Sequence, residues 1–303
     1  MGEPFIGSEA LAAGTLTRHQ LRTNFVAVHQ DVYVARGTRP TAILRAKAAW
    51  LRSKRAGVLA GFSAAALHGA RYIDASLPAN IIHSNRRAAR GVVVWADALD
   101  DDDVCAIGEM HLTTPLRTAV DLARRYREDV AVAAIDALAR SARLAVAQIQ
   151  EAAGRHPGQR GLKAARTTIA LVDPGAESPA ETRLRLLIVK ARFPRPVTQH
   201  PIDNEYGALI GVVDLAWPEL KIAVEYEGRH HMDPDQIRKD IARIEEMIEM
   251  GWLVIRVTSR DPSGVVLRRI AHARALRGAV DDVAIRLSRD LTDSVWPTGL
   301  KAS

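Results

Sequence analysis

Residues 212–228, VVDLAWPELKIAVEYEG, strongly limit how this chain can fold. Apolar and polar residues alternate on both sides of Pro218 and Glu219, which predicts two β-strands joined by a tight turn. If these two residues form the whole loop, Asp214 lies opposite Ala223 in the hairpin.

Alternation gives the predicted hairpin two unlike faces. One face is apolar and suited to a core, and it carries Val213, Leu215, Ile222, Val224 and Tyr226. The other face carries three carboxylates, those of Asp214, Glu225 and Glu227. A change of register by one residue would move Asp214 to the apolar face, so this prediction depends on the register.

The segments around the hairpin predict one domain over residues 174–280. A helix and a strand precede the hairpin, and a helix, a strand and a last helix follow it, in the order αβββαβα. Helical spacing is clearest for four isoleucines that precede Gly251, a natural helix end: Ile237, Ile241, Ile244 and Ile248. The fold class is therefore predicted to be α/β (α+β).

Three carboxylates on one patch repel each other unless something neutralises them. A divalent cation with oxygen ligands is one remedy, and Mg²⁺ (or Mn²⁺) bound there can activate water for phosphodiester hydrolysis. The alternative is a solvent-facing strand whose acids pair with nearby arginines or lysines.

Three further residues fit a catalytic interpretation. Glu181 opens the helix before the sheet and can add a fourth carboxylate, although Ser178, Pro179 and Glu181 also match a helix capping box. His230 and His231 directly follow the second strand of the hairpin, where a histidine can act as general acid or base. A turn histidine without a catalytic partner is equally ordinary.

The N-terminal half divides into two predicted parts. Residues 1–40 predict two short helices and a β-hairpin, a winged-helix-like DNA-binding unit. Residues 41–173 predict a mostly helical domain with a small β element, and residues 281–303 predict a weakly structured tail. The acidic run at residues 97–103 predicts a solvated loop.

Positive charge is concentrated near the start of the chain. The net charge is +7, and residues 1–60 hold nine Lys and Arg against three Asp and Glu. Five of these cations are candidate nucleic-acid contacts: Arg45, Lys47, Arg52, Lys54 and Arg55. Such a stripe indicates a DNA partner, and the alternative is a solvated basic helix.

The remaining composition excludes several classes of protein. Cys105 is the only cysteine, which excludes an internal disulfide and a thiolate zinc cluster. The start of the chain lacks the pattern of a signal peptide, and no apolar run is long enough for a membrane helix. We expect a cytoplasmic protein with no membrane partner.

The C-terminal third resembles a known family through SPAETRLR, VVDLAWPELKIAVEYEGRHH and RKDIARIEEMIEMGWLVIRVTSRD. Together these segments are similar to the domain of unknown function related to very-short-patch-repair endonucleases, within the PD-(D/E)XK nuclease superfamily. The resemblance implies a restriction-endonuclease-like fold in which Asp214 and Glu225 bind the metal. It also implies that Glu181 is the helix carboxylate and that His231 takes the position of an active-site histidine.

This sequence departs from the family pattern at two positions. Val213 replaces the proline of the motif, and Glu227 stands where the superfamily usually has a lysine that positions water. In some restriction-type members a glutamate there serves as a base or an extra ligand.

The N-terminal half resembles, more weakly, the antitoxin-like regulators of abortive-infection toxin–antitoxin modules. The segments that carry this likeness are GTLTRHQLRT, VHQDVYVARG and VLAGFSAAALHGA. The resemblance implies a winged helix that binds DNA and a cognate toxin as a second partner.

Two functions follow, of which the first is the leading hypothesis and the second is the alternative. One is a DNA-binding protein with a Mg²⁺-dependent endonuclease-like domain. The other is a non-enzymatic, antitoxin-like transcriptional regulator that keeps an inactive nuclease fold as a binding scaffold.

Overall fold

The computed structural model describes residues 2–85, 87, 89–155, 157–228 and 234–279. The predicted tail at residues 281–303 lies outside this range. Within it the chain is mixed α/β and divides into two compact units, Met1–Pro179 and Ala180–Ser303.

The first unit opens with two short helices and a hairpin, as the sequence predicts for this segment. Its first elements are β1 (Phe5–Ile6), α1 (Gly7–Ala12), α2 (Arg18–Asn24), β2 (Phe25–His29) and β3 (Val32–Ala35). The three strands form one antiparallel sheet in the order β1-β3-β2. Thr17 is the N-cap of helix α2, and its side chain and that of Gln20 form a reciprocal capping box.

The rest of the first unit is a five-stranded sheet with six helices. The elements are α3 (Ala42–Arg52), β4 (Val58–Ala60), α4 (Gly61–Leu67), β5 (Ala79–Ile82), β6 (Val92–Trp95), β7 (Val104–Ile107), β8 (Met110–Thr113), α5 (Pro115–Arg125), α6 (Glu128–Ala142), α7 (Val146–Gly154) and α8 (Leu162–Ala170). The strand order is β6-β5-β4-β8-β7. The sequence predicts only a small β element in this region, so the five-stranded sheet is larger than expected. Its strands are three or four residues long and therefore show little alternation.

Two large apolar clusters contribute most of the core of the first unit. In one, α3 packs on the sheet through Ala46, Ala49 and Leu51, and Val32 of the N-terminal hairpin joins the same cluster. The other lies among the helices and includes Phe62 and Ile135. Because α3 contacts both the N-terminal hairpin and the five-stranded sheet, the first forty residues pack on the same core as the segment that follows them.

The second unit has the element order that the sequence predicts. The elements are α9 (Pro179–Lys190), β9 (Val197–Asp203), β10 (Leu209–Trp217), β11 (Ile222–Glu227), α10 (Pro234–Glu249), β12 (Leu253–Thr258) and α11 (Ser263–Leu276). The sheet order is β12-β11-β10-β9, with β11 and β12 parallel and the other pairs antiparallel. Helix α10 ends as predicted before Gly251, which adopts a φ of 83°.

Helices cover both faces of this sheet. On one face, Leu215 and Val224 cluster with Ile188 of α9 and Ile270 of α11. On the other face, Ala216 and Ala223 cluster with Met247 of α10. The assignment of Val213 to the first face is wrong, because this side chain belongs to the second cluster.

The hairpin register also differs from the prediction. A 3-10 turn, Pro218–Leu220, and Lys221 at a φ of 46° make a four-residue connection, so Trp217 lies opposite Ile222. The expected two-residue loop is therefore wrong, and the pairing is displaced by two residues. A displacement by two keeps the alternation of faces, so Glu225 and Glu227 still share a face with Ala223.

Candidate functional site

The predicted carboxylates of the second unit lie on three elements. Glu181 is in the first turn of α9, Asp214 is in β10, and Glu225 and Glu227 are in β11. Glu181 is 8% exposed and Glu225 is 9% exposed, whereas Asp214 and Glu227 are half-buried. Two glutamates are thus withdrawn from water, which is costly unless each charge is compensated.

Arginines compensate two of these acids. Arg243 of α10 donates from Nη1 to Oε1 of Glu225 at 2.7 Å and from Nη2 to Oε2 at 3.2 Å. Arg256, on the neighbouring strand β12, forms an ion pair with Glu227. These acids therefore pair with arginines as the alternative predicts, but the strand is not solvent-facing at Glu225, which is buried.

Asp214 and Glu181 make different contacts. The backbone N–H of Tyr226 donates to Oδ2 of Asp214 at 2.6 Å, so Asp214 lies against the residue next to Glu225. The side-chain amide of Gln199 donates to Oε2 of Glu181 at 3.2 Å. Gln199 has a φ of 50°, a left-handed conformation that costs a non-glycine residue on the order of 1 kcal/mol.

These contacts test whether the residues fit a divalent cation. Carboxylate oxygens are the donors that Mg²⁺ prefers, yet both oxygens of Glu225 already accept hydrogen bonds from Arg243. Within the described residues no three Asp, Glu, His or Cys side chains are grouped so that they could hold a metal ion. The described arrangement does not fit the ion. His230 and His231 lie outside the described residues.

The predicted nucleic-acid stripe of the first unit lies on α3 and just after it. Lys47 forms an ion pair with Glu3 at 2.7 Å, and Arg55 forms one with Glu9 at 2.6 Å. Arg52 donates to the backbone carbonyl oxygen of Arg87, which follows β5, at 3.1 Å. Arg45 is half-buried and Lys54 is exposed. The stripe is thus largely engaged with the protein itself.

A different basic surface, which the sequence analysis did not single out, lies on α2. Six of the seven residues of α2 are exposed, and only Leu21 is buried. Arg36, just after β3, donates to the carbonyl oxygens of Thr23 at 2.8 Å and Arg22 at 3.0 Å. The signal in the sequence is RHQLRTN itself, a helix with a single apolar residue.

The acidic run at residues 97–103 is only in part the solvated loop that the sequence predicts, because Asp100, Asp101 and Asp102 are exposed but the two end residues are not. Asp103 is 8% exposed, and its Oδ2 accepts a hydrogen bond from Arg117, which is 3% exposed. Asp97 accepts from Arg124 and Arg125. The prediction is wrong for Asp97 and Asp103, because the cations that bind these two acids lie on α5, outside the local sequence window.

Burial and charge act in opposite directions on the acids of this network. Burial raises the pKa of Asp97, but the hydrogen bond from Arg124 and the nearby arginine charges outweigh it, so the pKa lies below its ordinary value. Burial raises the pKa of Asp121 above its ordinary value, although Arg117 and Arg124 oppose this. Asp121 is fully buried and therefore depends on its two arginines.

None of the helices among the described residues has the length and apolar character needed to cross a membrane. No family model matches this chain, and no solved structure matches it.

Two curated proteins of Mycobacterium tuberculosis are similar to part of the chain. They are the uncharacterized protein MT2308 of strain CDC 1551 / Oshkosh and the uncharacterized protein Rv2248 of strain ATCC 25618 / H37Rv. Each is 34% identical over 172 residues, which is 55% of this chain and 63% of the relative. The chain therefore spans less than two thirds of the length of these relatives.

Proposed function

We propose that this chain is a DNA-binding protein that contacts DNA through α2 and the β2–β3 hairpin. The observation that carries this proposal is the exposure of α2, in which every residue except Leu21 faces solvent. A polar helix this exposed contributes little to the core, so its side chains can contact DNA without disturbing the fold.

The charge of this surface suits a polyanion. Residues 15–41 contain four arginines, which are Arg18, Arg22, Arg36 and Arg39, and all four are exposed. The one acid of this segment, Asp31, accepts hydrogen bonds from the backbone and the hydroxyl of Ser8. Arginines bind phosphates, and arginine, glutamine and asparagine side chains also bind base edges when a helix enters the major groove.

The surface is also held in a fixed shape. Arg36 ties the end of β3 to the last carbonyls of α2, and the Thr17–Gln20 capping box fixes the start of this helix. Two short helices followed by a hairpin have the order of a winged helix, in which the second helix contacts bases and the hairpin contacts the backbone. We therefore assign the first forty residues a winged-helix-like role.

For the whole chain, an antitoxin-like regulator that binds DNA without cleaving it is the function we favour. Arg243 and Arg256 supply the positive charge that Glu225 and Glu227 need, which supports a binding scaffold over a metal-dependent enzyme. A cognate toxin is the second partner that this role implies.

A binding assay tests the proposal. We expect wild-type protein to bind a fluorescein-labelled duplex of mixed sequence with an affinity that falls as salt rises, as measured by fluorescence anisotropy. Replacing Arg18 and Arg22 by alanine should weaken binding and reduce the slope of log K against log salt by about 2, or about 1 per phosphate contact.

The control is a double variant with the same loss of charge elsewhere on the first unit. Arg71 and Arg127 are both exposed, and alanine at these positions should leave the salt slope unchanged. Equal effects of the two double variants would show that only net charge matters and would refute the role of α2.

Phosphodiester hydrolysis by the second unit is the second candidate function. Two observations favour hydrolysis: Glu181 is buried, and Gln199, which donates a hydrogen bond to Glu181, has a left-handed backbone conformation. Strained residues of this kind concentrate at functional sites. Hydrolysis with a metal ion on Glu225 would first require Arg243 to leave that carboxylate.

A further inference from the structure

We propose that Arg243 is a built-in counter-cation that keeps the carboxylates of the second unit from binding a divalent metal ion. The Arg243 guanidinium donates to both oxygens of Glu225, the carboxylate to which the nuclease resemblance assigns a metal ion. This inference concerns the second unit and does not depend on the DNA-binding proposal for the first.

The contact between Arg243 and Glu225 satisfies both partners. Each carboxylate oxygen accepts one N–H from the planar guanidinium, at 2.7 and 3.2 Å, which is the bidentate geometry that makes such pairs strong. The Arg243 side chain is 27% exposed and that of Glu225 is 12% exposed, so water screens the pair less than it would at a free surface.

A glycine on the neighbouring strand leaves room for this arginine. A Cβ atom at Gly211 of β10 would lie 2.9 Å from Cδ of Arg243 and 3.3 Å from its Nη1. Any larger residue at position 211 would push the Arg243 side chain away from its present path. The sheet is therefore shaped to admit the arginine, and the pair is more than a chance contact between long surface side chains.

The pair also lies near Asp214. Glu225 is the most buried acid of β11, and its neighbour Tyr226 donates its backbone N–H to Asp214. A metal ion shared by Asp214 and Glu225 would need the Glu225 oxygens that Arg243 occupies. A guanidinium and a divalent cation cannot both neutralise this one carboxylate in the same geometry.

Competition of this kind makes metal binding depend on Arg243. The probe is Mn²⁺ alone, whose binding to the full-length protein is measured by electron paramagnetic resonance or by calorimetry. We expect weak binding by wild type and binding tighter by on the order of tenfold in Arg243→Gln, because losing a charge-assisted pair frees Glu225. Arg243→Lys keeps the positive charge but cannot donate two parallel N–H groups to Glu225. Its Mn²⁺ affinity should therefore lie between those of wild type and Arg243→Gln.

Two further variants separate this inference from general effects of mutation. Gly211→Ala should also increase Mn²⁺ binding, since its Cβ displaces Arg243 without removing it. Adding Glu225→Gln to Arg243→Gln should abolish the gain, whereas a gain that survives would place the ion elsewhere.

Far-ultraviolet circular dichroism verifies that each variant is folded. Because Gly211→Ala keeps every charged group, it still tests the proposal if Arg243→Gln does not fold. Mn²⁺ binding by wild type as tight as by both variants would overturn the proposal, and so would a complete lack of binding by folded variants.

Discussion

The network around Arg117 gives a stability prediction whose size can be worked out from the structure. Arg117 is 3% exposed, and Asp121, one turn later on α5, is fully buried. The guanidinium donates to Oδ2 of Asp103 at 2.5 Å and to Oδ2 of Asp121 at 3.1 Å. Arg117→Ala would leave two acids in the protein interior without this cation.

The expected loss of unfolding free energy is at the lower end of the range usual for breaking a buried ion pair. Removing one partner of a buried ion pair commonly costs about 3–5 kcal/mol. Arg124 still donates to Asp121 at 2.8 Å, and the side chain of Asp103 keeps 12% of its surface exposed to water. We therefore expect Arg117→Ala to lower the free energy of unfolding of the first unit by about 3 kcal/mol.

Calorimetry of the full-length protein measures this loss. For a cooperative unit of this size, 1 kcal/mol changes the melting temperature by about 2–4 °C, so Arg117→Ala should lower it by about 6–12 °C. Arg127→Ala is the matched control, because the Arg127 side chain is 83% exposed and its ion pair with Asp129 contributes little. If Arg117→Ala melts no lower than this control, the reasoning from burial and pairing is refuted.

Two further predictions concern catalysis and pH. Supercoiled plasmid incubated with wild-type protein and Mg²⁺ or Mn²⁺ should remain uncut; cleavage that Asp214→Ala/Glu225→Ala abolishes would instead establish the endonuclease candidate. Burial lowers the pKa of His68, although its hydrogen bond to the carbonyl of Thr113 opposes this, so the folded protein binds fewer protons than the unfolded chain. The stability contributed by neutral His68 should be complete above the ordinary histidine pKa of about 6.5 and be lost as the pH falls below it. The melting temperature of wild type should therefore fall relative to that of His68→Gln, whose side chain does not titrate, as the pH drops below about 6.5; a constant difference across this range would contradict the assignment.

The element order of the second unit was predictable because its signals are local. Alternation marks the strands of the hairpin, isoleucine spacing marks α10, and Gly251 marks its end. The turn after Trp217 was not predictable in detail, since a two-residue loop and a 3-10 turn followed by Lys221 both fit the residues present. Glu225 and Glu227 lie on the predicted face only because the observed pairing of β10 with β11 differs from the predicted pairing by an even number of residues.

Partners distant in sequence explain what the sequence analysis missed. Arg243 follows Glu225 by 18 positions in the sequence, and nothing in that spacing indicates that its guanidinium reaches the Glu225 carboxylate. The acids at residues 97–103 likewise bind arginines of α5. The stripe on α3 looked free because Glu3 and Glu9, which pair with Lys47 and Arg55, lie about 45 residues earlier.

The central claim is that DNA binds α2 and the β2–β3 hairpin, and hydrogen–deuterium exchange with and without duplex DNA tests it most directly. We expect DNA to slow exchange of backbone amides across residues 17–36. We expect no comparable change in the segment from Ala42 to Arg55 or around Asp214 and Glu225. Protection confined to α3 or to the second unit, with residues 17–36 unchanged, would contradict the account.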